Sequence, residues 1–143
     1  MNTASKNPCP CHSGKAYEQC CKPFHEGTLP ENALLLMRSR YAAYALNIAD
    51  YIIDTTHPAN PQYNKNRPLW KETISQRYHS TKYINLEIHD FKERGSTATV
   101  TFTAYLTHNG NDAPFTEKSV FEKVKGRWLY RSGQILNFFE KAS

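Results

Sequence analysis

Four cysteines fall between Cys9 and Cys21, and the chain has no others. They sit in residues 1–27, a stretch of Cys, Pro, Gly and Lys without an apolar period. Such a segment cannot build a core of its own and needs a staple. Free thiols would find little apolar material there in which to hide, so the choice lies between disulfides and a metal. The first eight residues, MNTASKNP, are polar and give no apolar centre of a secretory signal. No run approaches the roughly 20 apolar residues that span a bilayer. A cytoplasmic protein without a membrane partner is therefore expected, and in a reducing compartment clustered cysteines bind metal rather than pair as disulfides.

The spacing suits zinc. Zn2+ takes four soft or borderline ligands in a tetrahedron, and two pairs of thiolates supply four. Cys9 and Cys11 can bind from one tight turn, with Ser13-Gly14-Lys15 as the return. Cys20 and Cys21, being adjacent, must aim their side chains differently, which is easiest at the end of a short helical turn. The expected ligands are Cys9, Cys11, Cys20 and Cys21, with His12 or His25 as substitutes for one of them. A site closed by four protein ligands is structural, so one structural Zn2+ per chain is expected.

From Thr28 the pattern changes, which divides the chain into 1–27 and 28–143. Thr28-Leu29-Pro30-Glu31 has the spacing of a capping box and predicts a helix start. Leu34, Met37, Tyr41, Tyr44 and Ile48 recur at helical steps and form one apolar face. A short helix over Ile48 to Thr55 and another from Pro68, carrying Leu69, Trp70, Ile74 and Tyr78 inward, complete the helical part. Beyond Ser80 the period drops to two: Ala98, Val100, Phe102, Ala104 and Leu106 share one face of a strand. Similar stretches cover Lys82 to Glu93, Phe115 to Val124 and Trp128 to Leu136. Arg94-Gly95-Ser96, Asn109-Gly110-Asn111 and Lys125-Gly126-Arg127 separate them as turns. Strands joined so tightly pair antiparallel, and helices grouped before them cover one face, so the fold class is α+β.

Cys9-Pro10-Cys11-His12-Ser13-Gly14-Lys15 followed by Gln19-Cys20-Cys21 resembles the SEC-C zinc motif, the module at the C-terminal tail of the bacterial preprotein translocase ATPase, where it contacts an export chaperone. His12 stands where glycine is usual in that motif, and Cys21 where a histidine often ligates. Further along, Lys22-Pro23-Phe24-His25, Leu36-Met37-Arg38-Ser39-Arg40-Tyr41, Tyr51, Thr56-His57-Pro58 and Gly126-Arg127-Trp128 resemble the YchJ-like family of small bacterial proteins. That resemblance implies a SEC-C zinc knuckle before a nuclear transport factor 2-like (NTF2-like) domain, a cone made by a curved antiparallel sheet packed against helices. It supplies a fold and a metal motif without a reaction.

An interaction module with structural zinc, for a protein or ribonucleoprotein partner, is the leading expectation by analogy with other SEC-C modules. The alternative is a small-molecule-binding protein or an acid/base enzyme using the cone, with Asp50, Asp54, His57, His89 and Tyr105 as candidates. Four of them have a plainer place: Asp50 and Asp54 on a solvated helix face, His57 in a turn, His89 on a strand surface. Tyr41, Tyr44, Trp70, Tyr105 and Trp128 are expected mostly to fill the cone, because nine tyrosines and seven phenylalanines in so small a body leave little room for a cavity of some 300 Å3. Arg38 and Arg40, bordering the helical stripe, are expected to keep their heads in water. The alternative is that one of them forks to a carboxylate or to carbonyls of the cysteine segment and fixes the two parts together. The net charge of +5 permits nucleic acid, yet Lys123, Lys125 and Arg127 are interleaved with acids, so that partner is not favoured.

Overall fold

The computed structural model describes residues 7–138; most of the polar leader and the last five residues of the expected body lie outside them. A 3-10 turn, Tyr17–Gln19, and helix α1, Lys22–His25, belong to the cysteine segment. Helices α2 (Ala33–Leu46), α3 (Ala49–Asp54) and α4 (Arg67–Ser80) follow. Five strands complete the chain: β1 (Thr81–Arg94), β2 (Thr97–His108), β3 (Asn111–Asp112), β4 (Phe115–Val124) and β5 (Arg127–Phe138). The sheet runs in the order β1-β2-β4-β5, with the short β3 also on β2, and every pairing is antiparallel. Asn109 and Gly110, and again Lys125 and Gly126, have successive positive φ values, the tight-turn geometry that matches the twist of two paired strands. Among the described residues no helix is long and apolar enough to cross a membrane.

The helix predicted from Thr28 begins at Ala33 instead. Asn32 caps it, its side-chain oxygen accepting from Leu35 N at 2.9 Å. Thr28 is used elsewhere, its N–H closing α1 on the Pro23 carbonyl at 3.0 Å. The stripe on α2 is also wider than its period implied: Ala33, Leu36, Ser39, Arg40, Ala42 and Ala43 are buried beside Met37 and Tyr41. This helix has neighbours on more than one side. Met37 and Tyr41 meet the sheet, Ala43 packs with α3 and α4, and Ala42 closes against the cysteines. On α4, Trp70 and Ile74 turn inward as expected, Tyr78 is half-buried, and Leu69, one residue off that face, is 50% exposed.

Four bulges bend the sheet. Each inserts one residue, Ile84 and His89 on β1 and Arg131 and Leu136 on β5, opposite unbroken runs of β2 and β4. The extra residue switches which positions face inward. On β1 these become Tyr83, Leu86, Ile88 and Phe91. On β5 they are Trp128, Tyr130, Gly133 and Ile135, as the contacts at these positions show. The unbulged strands keep strict alternation: Ala98, Val100, Phe102 and Ala104 of β2 are all buried. The outer strands thus curl around α2 and make an open cone.

Candidate functional site

The cysteine segment folds as a knuckle. Cys9 N donates to Lys15 O at 2.9 Å and His12 N to Cys9 O at 3.0 Å, closing a loop in which His12 and Gly14 carry positive φ. A left-handed backbone at position 12 explains why the SEC-C pattern favours glycine there. Cys20 ends the 3-10 turn and Cys21 starts α1, so the adjacent side chains leave from two differently wound turns. All four sulfurs lie within 4.8 Å of one another. Cys11 and Cys20 are 3.5 Å apart, Cys20 and Cys21 3.9 Å, and Ser13 Oγ lies 3.1 Å from Cys20 Sγ. Metal–sulfur bonds of about 2.3 Å in a tetrahedron need sulfurs about 3.8 Å apart, so the spacing fits. Cys11, receiving the Cys21 and Cys9 thiols, is held far below the thiol range, while donating to it pushes Cys21 up and Cys9 up to about 12. A dication lets all four ionise together.

His25 is no ligand. Its Nδ1 accepts from the Tyr17 hydroxyl at 2.7 Å and its Nε2–H donates to Ser39 O of α2 at 2.8 Å; burial lowers its pKa and keeps Nδ1 an acceptor. His12 is exposed and edges the Tyr41 ring. The arginines do not keep their heads in water. Arg38 donates to the Cys11 carbonyl at 2.9 Å, and Arg40 is 7% exposed. Helix α2 thus grips the knuckle through Arg38 and Ser39, one position apart, which makes it the helix on which both parts of the chain are built. His25→Ala should lower the stability of the metal-loaded protein by about 1–2 kcal/mol, the worth of two hydrogen bonds less what water restores, read from the urea midpoint at unchanged m. An unchanged midpoint would show that the imidazole fastens nothing.

The cone is not filled. A cavity of about 580 Å3 opens between α2 and the sheet, lined by Tyr41, Tyr44, Tyr83, Phe102 and Phe115 among others. Of the five aromatics predicted to plug it, Tyr41 and Tyr44 line its wall and the other three go elsewhere. Trp70 packs with α3, Trp128 lines a smaller cleft of about 350 Å3 beside the knuckle, and Tyr105 faces outward to Glu87. None of the candidate acids and bases lines the cone. Asp50 and Asp54 border the smaller cleft, exposed and held by Arg67 at 2.9 and 3.0 Å, which keeps the Asp50 carboxyl below its usual range. His57 pairs with Glu122 at 2.8 Å, and His89, a bulge residue, meets Thr103 at 2.7 Å on the outer face.

The cone's polar groups escaped the sequence reading. Glu117 of β4 points inward and accepts from the Ser119 hydroxyl at 2.6 Å and the Tyr130 hydroxyl at 2.8 Å. Burial, and next the Glu117 charge, push Tyr130 above its ordinary range, so it remains a donor. Gly133, opposite Ser119 on β5, makes the room: a Cβ there would overlap the Glu117 carboxylate and the Tyr130 hydroxyl. One signal for Glu117 and Ser119 was available, since strand alternation puts them on the same face as Phe115 and Phe121.

The model of the YchJ middle NTF2-like domain matches residues 32–133, and that of the SEC-C motif residues 6–23. The chain belongs to the YchJ-like family. Among YchJ-like relatives, a UPF0225 protein of Deinococcus radiodurans is 39% identical over 131 residues, 86% of this chain and 85% of that one. One from Actinobacillus succinogenes is 37% identical over 125 residues, 85% and 78% of the two chains. A SEC-C motif containing protein from Rhodopseudomonas palustris, solved in solution, superposes with a TM-score of 0.76 at 34% identity, covering 90% of this chain and 98% of its own. An NTF2-like protein from Shewanella oneidensis, at 14% identity and a TM-score of 0.55 over 72% of this chain and 94% of its own, shares the fold alone. The YchJ-like chain is thus an α+β NTF2-like cone preceded by a cysteine cluster compatible with zinc binding.

Proposed function

We propose that this protein binds a small organic molecule in its cone, on a body braced by one structural Zn2+ held by Cys9, Cys11, Cys20 and Cys21. The cavity carries the reading: its volume falls in the range of about 300–1,000 Å3 usual for ligand sites, and apolar walls surround a few fixed polar groups. Zinc is favoured because four thiolates close a tetrahedral site and leave no position for a substrate. Elemental analysis of protein purified without added metal should find one zinc per chain. The neutral fluorophore N-phenyl-1-naphthylamine should bind with one-to-one saturation and be displaced when Leu106→Trp narrows the cavity that Leu106 lines. Unchanged dye binding in that variant would place the dye outside the cone and remove the support.

A protein or ribonucleoprotein partner for the knuckle is the second reading. It is favoured by the outward face of the knuckle, where His12, Lys15, Glu18 and Gln19 stay exposed while Cys9, Cys11 and Cys21 are buried. A partner captured by the intact protein and lost with Cys9→Ser, Cys11→Ser would support it.

A further inference from the structure

Arg40 is the group in the cone that the fold leaves half used. Nη1 donates to Ile52 O at 3.0 Å, Thr55 Oγ1 at 2.8 Å and Thr56 Oγ1 at 3.2 Å, all neutral acceptors. The Tyr130 ring covers one face of the guanidinium, 4.6 Å away. A guanidinium has five N–H donors in a planar fork, and among the described residues no group accepts from Nε or Nη2. These nitrogens are not sealed in protein, since the buried side-chain nitrogen or oxygen without a partner among the described residues is Trp128 Nε1. Because Arg40 itself lines the cavity, its free edge has that space to face.

The charge of Arg40 is unanswered as well. Among the described residues it has no carboxylate within 4.0 Å, and Glu117, the acid in the same cavity, is engaged by Ser119 and Tyr130. A buried cation lacking a counter-charge is costly, and a planar carboxylate is the group that two parallel N–H bonds fit. The rest of the wall limits what that carboxylate is attached to. Phe102, Phe115, Phe121 and Tyr83 are aromatic, burial pushes Tyr83 up to about 12 and so keeps its hydroxyl neutral, and Glu117 opposes a second negative charge.

We propose that the cone takes an amphipathic monocarboxylate, its carboxylate forked on Arg40 and its apolar body against the aromatic wall. This rests on the reading of the cone as a ligand site and names the ligand's class. Arg77 is the other guanidinium lining the cavity, but it is exposed, and a carboxylate held there keeps much of its water and gains less.

The experiment is calorimetric titration of the full zinc-loaded chain with 2-naphthylacetate and with its neutral isostere 2-naphthylacetamide. The acid should bind at least tenfold more tightly. Arg40→Met should bring the two within threefold of each other, and Glu117→Gln should strengthen the acid several-fold while leaving the amide unchanged. If Arg40→Met does not fold, Arg40→Lys, which keeps a charge without the fork, should still cut the acid's preference at least threefold. Equal binding of acid and amide to the unaltered protein overturns the carboxylate assignment and leaves the ligand reading standing. A preference that survives in the Arg40 variant and vanishes in Arg77→Ala moves the anion to the exposed guanidinium and overturns the role of Arg40. Failure of acid, amide and N-phenyl-1-naphthylamine alike overturns the ligand reading with it.

Discussion

Stripping the metal from this protein, by a chelator or by Cys9→Ser, Cys11→Ser, should free residues 7–27 and lower the melting temperature by about 10 °C while the sheet stays folded. The knuckle has hardly any core besides its sulfurs: Cys9, Cys11 and Cys21, all buried, close with Ala42 of α2. A structural zinc contributes apparent binding energy on the order of 10 kcal/mol to such a segment, which is folding energy it cannot replace. Losing the knuckle also removes the Arg38 and His25 bonds to it and opens Ala42 to water. A cost to the body of about 3 kcal/mol, at about 3 °C per kcal/mol for a domain of this size, gives the expected shift. Hydrogen exchange is the measurement. Residues 7–27 should lose protection, α2 should lose part of it, and β2 and β4, which build the centre of the sheet, should exchange as slowly as before. Loss of protection throughout the sheet would mean that the cone does not stand without its knuckle.

Gly133→Ala should destabilise the protein by about 2–3 kcal/mol, although the same change in an unhindered strand is favourable by about 0.5–1 kcal/mol. Sterics decide the sign. The new methyl displaces the Glu117 carboxylate from two hydroxyls, and hydrogen bonds to a charged acceptor are worth about 1.5–3 kcal/mol each, part of which water returns. The decisive measurement is a double-mutant cycle in urea. In a Glu117→Ala background the cost of Gly133→Ala should fall below about 1 kcal/mol, because the carboxylate it strikes is gone and the Tyr130 hydroxyl, which it also strikes, has the vacated space to move into. Additive costs would show that Gly133 is needed for the backbone of β5 and not for its neighbour across the sheet.

The sequence by itself determined the elements and the metal-binding cluster. Turns at Gly95, Gly110 and Gly126 delimit strands because residues at those positions carry positive φ, and alternation in β2 survives intact from chain to fold. The cysteine spacing is legible for the same local reason: thirteen consecutive residues bring their own four sulfurs together with little help from the rest of the chain. What only the tertiary structure decided is the cone. Whether aromatic rings fill a space or line it depends on how far the sheet curls, and here the curl comes from bulges at Ile84, His89, Arg131 and Leu136 that leave no mark in a period-two pattern. A bulge moves every later side chain to the opposite face, so Gly133 and Ile135 turn inward where strict alternation from Trp128 and Tyr130 would place Ser132 and Gln134. Long-range packing likewise buried Arg40, which helical period alone leaves at the border of the core: its partners Ile52, Thr55 and Thr56 lie more than ten residues away along the chain, and α3 brings them over α2 only once the helices have docked.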